Sequence, residues 1–333
     1  MYGIAGGAPD RTLVGHASLG RFVLIRVGVM GLVTVAVSVL VFALLEAAPG
    51  DAATQFLGPR ATPERLAALR EELGLSRPAW SRYLDWVGGV ATGDFGHSLV
   101  SGRPVGDLLA APSYRTAVLA ALAFVGVLII GVGGGVRAGY RAAGKTDRAL
   151  SAAALLVLST PEFVVGIFLI LVFALWLKAV PAVSLLPSSG QLADRPDILI
   201  LPAATLAVVA GCYVFRLVRG IVAAAAARPN VEAALLDGIG RIRVLGVHVL
   251  PQVIGPMISA VVIIIPYLVG GAVVVEQLFG YPGLGRMLIT AVGGRDQPVV
   301  MAIVLLLSVV TIIGYALSDV LSRVADPFRR SVS

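Results

Sequence analysis

The sequence predicts an all-α polytopic membrane protein with six transmembrane helices and an additional helical region outside the membrane. Three observations carry this. Apolar residues make up 58% and charged residues 14% of the 333 residues, with a mean hydropathy of +0.93, too apolar for a soluble domain with a polar surface. Runs free of Asp, Glu, Lys and Arg cover 27–45, 116–136, 198–215, 244–275 and 297–318, each near or beyond the roughly 20 residues that cross a hydrocarbon core. A sixth apolar segment, 150–177, carries one acid, Glu162. Lys and Arg also fall unevenly between alternate connections.

Taken in order, residues 1–20 are a Gly-rich polar tail and 21–46 the first transmembrane helix. That helix is too long for a signal-peptide core and is followed by Pro49-Gly50-Asp51, not by a small-residue cleavage site, so it is expected to remain in the mature chain. Residues 47–115 read as an external helical region. Thr62-Pro63-Glu64 offers an N-cap, a proline at the first helical position and an acid in the first turn. Leu66, Leu69 and Leu73 form one apolar stripe, and Gly74 ends it. A second helix is expected to start at Ser76, with Trp80, Tyr83, Leu84 and Val87 on one face, suited to the membrane surface or to packing on the bundle.

Residues 116–322 hold the remaining five spans. Gly131, Gly133, Gly134 and Gly135 close the second span, where small residues let helices approach closely in lipid. Pro161 and Pro266 are expected to kink the third and fifth spans. Residues 323–333 form a second tail. Cys212, the single cysteine, lies in the fourth span as a small buried residue and leaves no intrachain disulfide to consider.

Basic residues near span ends stay cytoplasmic. Arg11, Arg21 and Arg26 precede the first run, while Arg137, Arg141, Lys145 and Arg148 lie between the second and third. Arg216, Arg219, Arg228, Arg241 and Arg243 flank the connection between the fourth and fifth, and Arg323, Arg329 and Arg330 follow the sixth. The opposite side has Arg195 in one short loop and Arg286 and Arg295 in the other. Both termini are therefore expected in the cytoplasm. The seven Arg of 47–115 do not overturn this, because long loops translocate largely regardless of charge. The net charge of +7 then reflects topology and anionic lipid headgroups, not nucleic acid.

The polar interruption between the fourth and fifth spans carries Glu232-Ala233-Ala234, three further residues, Gly238, and a stretch ending in Leu250-Pro251. Asn230 can cap a helix, Glu232 suits its positive end, and Gly238 can take the left-handed turn before a second amphipathic stretch, Ile242 to Leu250. Pro251 is expected to start the next span. This segment, 223–251, resembles the cytoplasmic coupling loop of ABC importer permeases. Along nearly its whole length the chain resembles the dipeptide, oligopeptide and nickel importer permeases. The likeness includes Pro49-Gly50-Asp51, Leu73-Gly74-Leu75, Gly93-Asp94-Phe95-Gly96, Arg103-Pro104-Val105 and Pro161-Glu162-Phe163. It continues through Gly270-Gly271-Ala272, Glu276, Phe279, Pro282-Gly283-Leu284-Gly285, Asp296-Gln297-Pro298-Val299 and Asp326-Pro327. Leu236-Asp237 and His248 depart from the family pattern and bear on which ATPase fits.

The resemblance implies a type I importer permease fold in a bacterial inner membrane. It implies a solute pathway shared with a second homologous permease, two ATPase subunits docked on Glu232, Ala233, Ala234, Gly238, Leu250 and Pro251, and an external solute-binding protein. ATP and Mg would belong to the partner ATPases, with no cofactor on this chain and no catalytic site. Peptides are the expected solute; nickel chelates or another small solute fit the same pattern.

Acids at membrane depth are costly, at least ~2.5 kcal/mol on insertion scales, and mark functional candidates. Pro161, Glu162 and Glu276 are accordingly expected along the pathway, with a structural hydrogen bond as the alternative for Glu162. Glu46 is expected at the interface, and Asp319 is expected to snorkel or pair with Arg323. The loop from Glu276 to Pro298, with Phe279, Gly280, Tyr281, Pro282, Gly283, Leu284 and Gly285, is expected to form a compact external turn meeting the binding protein, with Tyr281 and Leu284 close enough to crosslink to it. Gly139 to Thr146 matches the P-loop pattern letter for letter, but that loop works between a buried strand and a helix, and here it links two spans. His16, His97 and His248 lack metal-ligand neighbours in the sequence. A stand-alone secondary transporter would carry internal repeats, and an intramembrane protease an apposed nucleophile and base. Neither pattern is found.

Overall fold

The computed structural model describes residues 19–58, 61–186 and 192–325. The terminal tails, with His16, Asp326-Pro327, Arg329 and Arg330, lie outside the described residues, as do the side chains of Arg21, Arg26, Asp319 and Arg323. Among the described residues there is no strand; a single bridge joins His97 and Pro104.

Five helices are long and apolar enough to cross a membrane, and a sixth span is a bent pair. The first is α1 (Leu19–Ala47). The region between the first two spans follows as α2 (Ala52–Leu57), α3 (Pro63–Glu72) and α4 (Ala79–Ala91). Thr62 Oγ1 accepts the Arg65 amide at 3.4 Å with Pro63 at the first position, and Gly74 has φ +68° just past the end of α3. The second helix starts later than Ser76. Pro78 pushes Arg77 toward extended backbone, so Pro78 takes the cap and α4 begins at Ala79. Its aromatic stripe serves both expected roles. Tyr83 bonds to Ser38 at 2.8 Å and packs edge-on against Phe42 of α1, while Trp80 is 69% exposed. Glu46 pairs with Arg82 at 2.5 Å, tying the end of α1 to α4.

The second span begins at α5 (Val105–Val127), passes through a π-helical stretch at Leu128–Gly133 and ends as α6 (Gly134–Tyr140). It starts eleven residues earlier than the charge-free run, because Asp107 and Arg115 are carried on the emerging first turns. The third span is α7 (Lys145–Leu158) and α8 (Glu162–Leu169), extended by a π-helical stretch at Ile170–Trp176. At Pro161 these halves meet at 112°, a full break in place of the expected kink. Glu162 therefore sits in the first turn of α8 and not in mid-helix.

The fourth span, α9 (Ile200–Ala226), is the central helix, and α5, α6, α7 and α8 pack on it. Leu206, Val214, Val218 and Val222 are fully enclosed. Close approach of α6 explains the small residues of the second span. A Cβ at Gly131, Gly135 or Gly139 would lie 2.7, 2.8 or 2.9 Å from the Cβ of Val214, Val218 or Val222, so a ridge of α9 fits a groove that only glycine leaves open.

After α10 (Pro229–Leu236) and α11 (Arg241–Val244), the chain runs through a π-helical stretch at Leu245–Val249 into α12 (Leu250–Val262) and α13 (Ile265–Phe279). Pro266 falls in the first turn of α13, at a break around Ile263 and Ile264, where its missing amide costs no helical bond. The chain closes with α14 (Leu284–Gly293) and α15 (Gln297–Ala325), against which α1, α12, α13 and α14 pack. A second buried cluster, including Val105, Leu109, Leu284 and Ile303, joins α5, α14 and α15.

Candidate functional site

The segment between the fourth and fifth spans folds as an elbow. Arg228 adopts extended backbone and Pro229 takes the first helical position of α10. Asn230, expected as the cap, lies one position inside, because the fixed φ of Pro229 sets the start. Glu232 and Ala233 face outward, whereas Val231 and Ala234 are 1% and 5% exposed against the bundle. Gly238 has φ +78°, a conformation other residues adopt only with strain; its amide donates to the Leu235 carbonyl and the Ile239 amide to the Ala234 carbonyl, each at 3.1 Å. α11 then returns the chain, burying Val244 and Val249.

Pro251 falls in the first turn of α12, at the start of the fifth span as expected. The π-helical turns at Leu245–Val249 carry α11 directly into α12, so the second arm of the elbow and the first half of the fifth span run on without a break from Arg241 to Val262. The elbow is braced on three sides. Arg228 Nη1 donates to Gln252 Oε1 at 2.5 Å, Gln252 Nε2 donates to the His248 carbonyl, and the Tyr140 hydroxyl donates to the Arg241 carbonyl at 2.7 Å. Its outer face offers Leu236 and Ile242, 82% and 88% exposed, beside Arg241 and Arg243. The helical hairpin thus presents two projecting aliphatic side chains outward.

The P-loop-like residues occupy a helical turn. Gly139 belongs to the groove against α9, Ala143 has φ +65°, and Lys145 opens α7. The amides that would cradle a phosphate already face a carboxylate: Asp147, 1% exposed, accepts the Ala143 amide at 2.8 Å. Arg219 of α9 donates through Nε and Nη2 to Asp147 at 2.8 and 2.7 Å. This ion pair escapes sequence reasoning because its members lie 72 residues apart; Asp147 alone carries no motif.

Glu162 lines a cavity of about 450 Å³ at the break in the third span, with Thr160, Tyr213, Ile264 and Tyr267 around it. Tyr267 donates its hydroxyl to Glu162 Oε2 at 3.0 Å, and buried Oε1 has no partner among the described residues. Pro161 is exposed at the same break. The cavity sits where two helix interruptions meet, that of α7–α8 and that of α12–α13.

Glu276 departs from expectation. It is fully enclosed by this chain, so it does not line an open pathway. Thr116 donates to its Oε1 at 2.5 Å, and the Gly285 and Arg286 amides donate to Oε2 at 2.6 and 3.4 Å. Thr116 Oγ1 in turn accepts the Leu284 amide at 2.9 Å. The carboxylate thus caps the amino end of α14, and the glycines at 283 and 285 leave room for it. The loop after it is more helical than the expected compact turn. Gly280 turns the chain with φ +66°, Tyr281 to Gly283 complete the bend, and the ten residues of α14 follow. Phe279, Tyr281 and Leu284 are anchors, 0%, 0% and 4% exposed, with Tyr281 donating to the Arg115 carbonyl at 2.8 Å. Tyr281 and Leu284 therefore cannot reach a docked protein; Ile289 and Val292 are the exposed apolar positions. Pro282 and Gly283 border a second cavity of about 450 Å³ together with Arg115 and Arg286.

Residues 131–331 match the family described as binding-protein-dependent transport system inner membrane component, and residues 19–103 match the N-terminal part described for the same systems. The chain is 32% identical over 309 residues to a probable peptide ABC transporter permease protein, y4tP, of Sinorhizobium fredii, covering 93% of this chain and 99% of that one. It is 32% identical to the oligopeptide transport system permease protein AppB of Bacillus subtilis, covering 87% and 93%. The glutathione transport system permease protein GsiC of Escherichia coli K12 is also 32% identical, covering 87% and 92%. Among solved structures, an inward-facing MetNI methionine ABC transporter aligns with a TM-score of 0.54 at 18% identity, covering 66% of this chain and 96% of that one, which shows a shared fold.

Proposed function

The chain belongs to the family of binding-protein-dependent transport system inner membrane components, and on that premise we propose how this ABC importer permease works. It pairs with a second homologous permease to enclose the solute pathway, receives solute from an external binding protein, and is driven by two ATPase subunits that bind the nucleotide. The observation that carries this is the elbow of α10 and α11, packed on one face, projecting Leu236 and Ile242 on the other, and continuous with the fifth span. The Arg-rich ends of the spans support a cytoplasmic elbow and cytoplasmic termini.

Movement of an ATPase against the elbow is transmitted in two directions. Val231, Ala234, Val244 and Val249 pass it to the core around α9. The π-helical stretch passes it along α12 to the break at Ile263, beside the Glu162 cavity. Helix breaks lack the bonds that make a rod stiff, so that cavity changes shape more readily than its surroundings. Glu162 and Tyr267 then present a carboxylate and a hydroxyl to a polar solute in transit. A peptide is the solute class supported by relatives named for peptide and oligopeptide transport.

Gly238→Pro tests the reading. Proline fixes φ near −65° and removes the amide that holds the turn, so it is incompatible with φ +78°. The reconstituted complex should lose import while retaining the ATPases' nucleotide binding. Wild-type import together with wild-type ATP hydrolysis would show that the elbow is not the coupling element.

A further inference from the structure

A groove apart from the Glu162 cavity lies beside the elbow. It is a cavity of about 550 Å³ between α6, the elbow and the start of α12. Its lining is graded. Arg137, Arg141 and Arg241 stand at one end, where α6 finishes and α11 begins; Val132, Ile254 and Met257 lie at the other. The two walls run antiparallel, so both become apolar in the same direction. From Arg141 back to Val132 is nine positions, or ~13 Å at helical rise. None of the three arginines takes part in an ion pair among the described residues.

We propose that this groove binds an anionic phospholipid of the cytoplasmic leaflet, phosphate on Arg137, Arg141 and Arg241 and one acyl chain along Val132, Ile254 and Met257. The inference rests on the cytoplasmic placement of the elbow. Charge complementarity selects the headgroup: a basic pocket between helices on the cytoplasmic side is the ordinary site for an acidic lipid. The Tyr140–Arg241 hydrogen bond borders the groove, so an occupant braces the elbow against α6 and stiffens the coupling element.

The complete transporter, in nanodiscs of equal phosphatidylglycerol and phosphatidylcholine, is transferred to detergent and its retained lipid counted by native mass spectrometry. Wild type should retain phosphatidylglycerol selectively. Arg137→Gln/Arg141→Gln should lower that selectivity roughly thirtyfold, about fivefold for each cation near the surface. Ile254→Trp, filling the aliphatic end, should also lose the lipid. Arg65→Gln/Arg103→Gln, the same charge change on the external region, should not. Unchanged selectivity in the first pair, equal loss in the control pair, or retained lipid in Ile254→Trp overturns the proposal. So does a crosslink from Ile254→Cys, in a Cys212→Ala background, to the second permease, which would mean that protein covers the groove. Failure of the elbow reading is separate: the ATPases would not crosslink to Leu236→Cys, which does not line the groove, whatever the lipid count.

Discussion

Removing either member of the Asp147–Arg219 pair should destabilise the protein, but by unequal amounts. Asp147 is 1% exposed and Arg219 35%. Arg219→Ala strands a carboxylate with no access to water, leaving it the Ala143 amide at 2.8 Å and Ser151 at 3.3 Å. Breaking a buried pair in this way costs about 3–5 kcal/mol. Asp147→Ala instead strands a guanidinium that is already a third exposed and can rehydrate, so the loss is nearer the about 1.5–3 kcal/mol of hydrogen bonds to a charged group. The double variant should lie well short of the sum, with a coupling of about 2 kcal/mol, because the second removal relieves the burden left by the first. Equilibrium unfolding of the four proteins in mixed micelles of increasing SDS content measures the cycle. Asp147→Ala costing as much as Arg219→Ala, or strictly additive losses, would refute the assignment of the buried carboxylate as the costly partner.

Three further outcomes follow from other contacts. Gly135→Ala places a Cβ 2.8 Å from that of Val218 and should cost about 1–3 kcal/mol by overpacking, with Val218→Gly, which removes the facing Cβ, coupling to it favourably in a double-mutant cycle in the same unfolding assay. Without that coupling, the ridge-in-groove packing of α6 on α9 is not the cause. Burial raises the Asp51 pKa, but the Thr54 amide and then Arg70, at 2.6 Å, outweigh it and hold the carboxylate below its ordinary range. A depressed folded pKa stabilises above the unfolded value of about 3.9 and is lost as pH falls below it. The wild-type advantage over Asp51→Asn should therefore be steady from neutral pH to about 4 and decline as pH falls through the lowered folded pKa; an advantage undiminished by acid contradicts the ion pair as its source. Lys145→Ala and Thr146→Ala should leave ATP binding by the complex unchanged, since Asp147 and Arg219 fill the turn where a phosphate would sit. Photo-crosslinking of ATP to this chain without the ATPases would show the opposite.

What the sequence made legible is what local periodicity encodes. The spans, the Thr62-Pro63 start and the left-handed turn at Gly238 each depend on residues within a few positions of one another. Long-range partners were not legible. Glu276 looked like a pathway acid because a carboxylate at membrane depth is costly, yet Thr116, 160 residues away, and the amides of α14 satisfy it from within the chain. Tyr281 and Leu284 read as exposed anchors because turn residues usually lie at the surface; the bend instead folds them under α14. The glycine run of the second span signalled close packing, but only the partner Val214, Val218 and Val222 show that Gly139 belongs to it and Gly133 does not. Helix breaks were the hardest to grade. One proline, Pro161, marks a 112° turn, whereas Pro251 sits in the first turn of α12, directly after the π-helical turns, without such a bend.

Site-directed crosslinking from the elbow tests the central claim most directly. In a Cys212→Ala chain, Ile242→Cys places a thiol on an exposed position of α11 and Val292→Cys one on α14, 88% and 43% exposed in the native residues. In the assembled complex Ile242→Cys should crosslink to the ATPase subunit and resist impermeant reagents applied outside the cell, while Val292→Cys should be modified by them. Crosslinking of the ATPase to Val292→Cys, or external labelling of Ile242→Cys, would contradict both the coupling role of the elbow and the orientation of the chain.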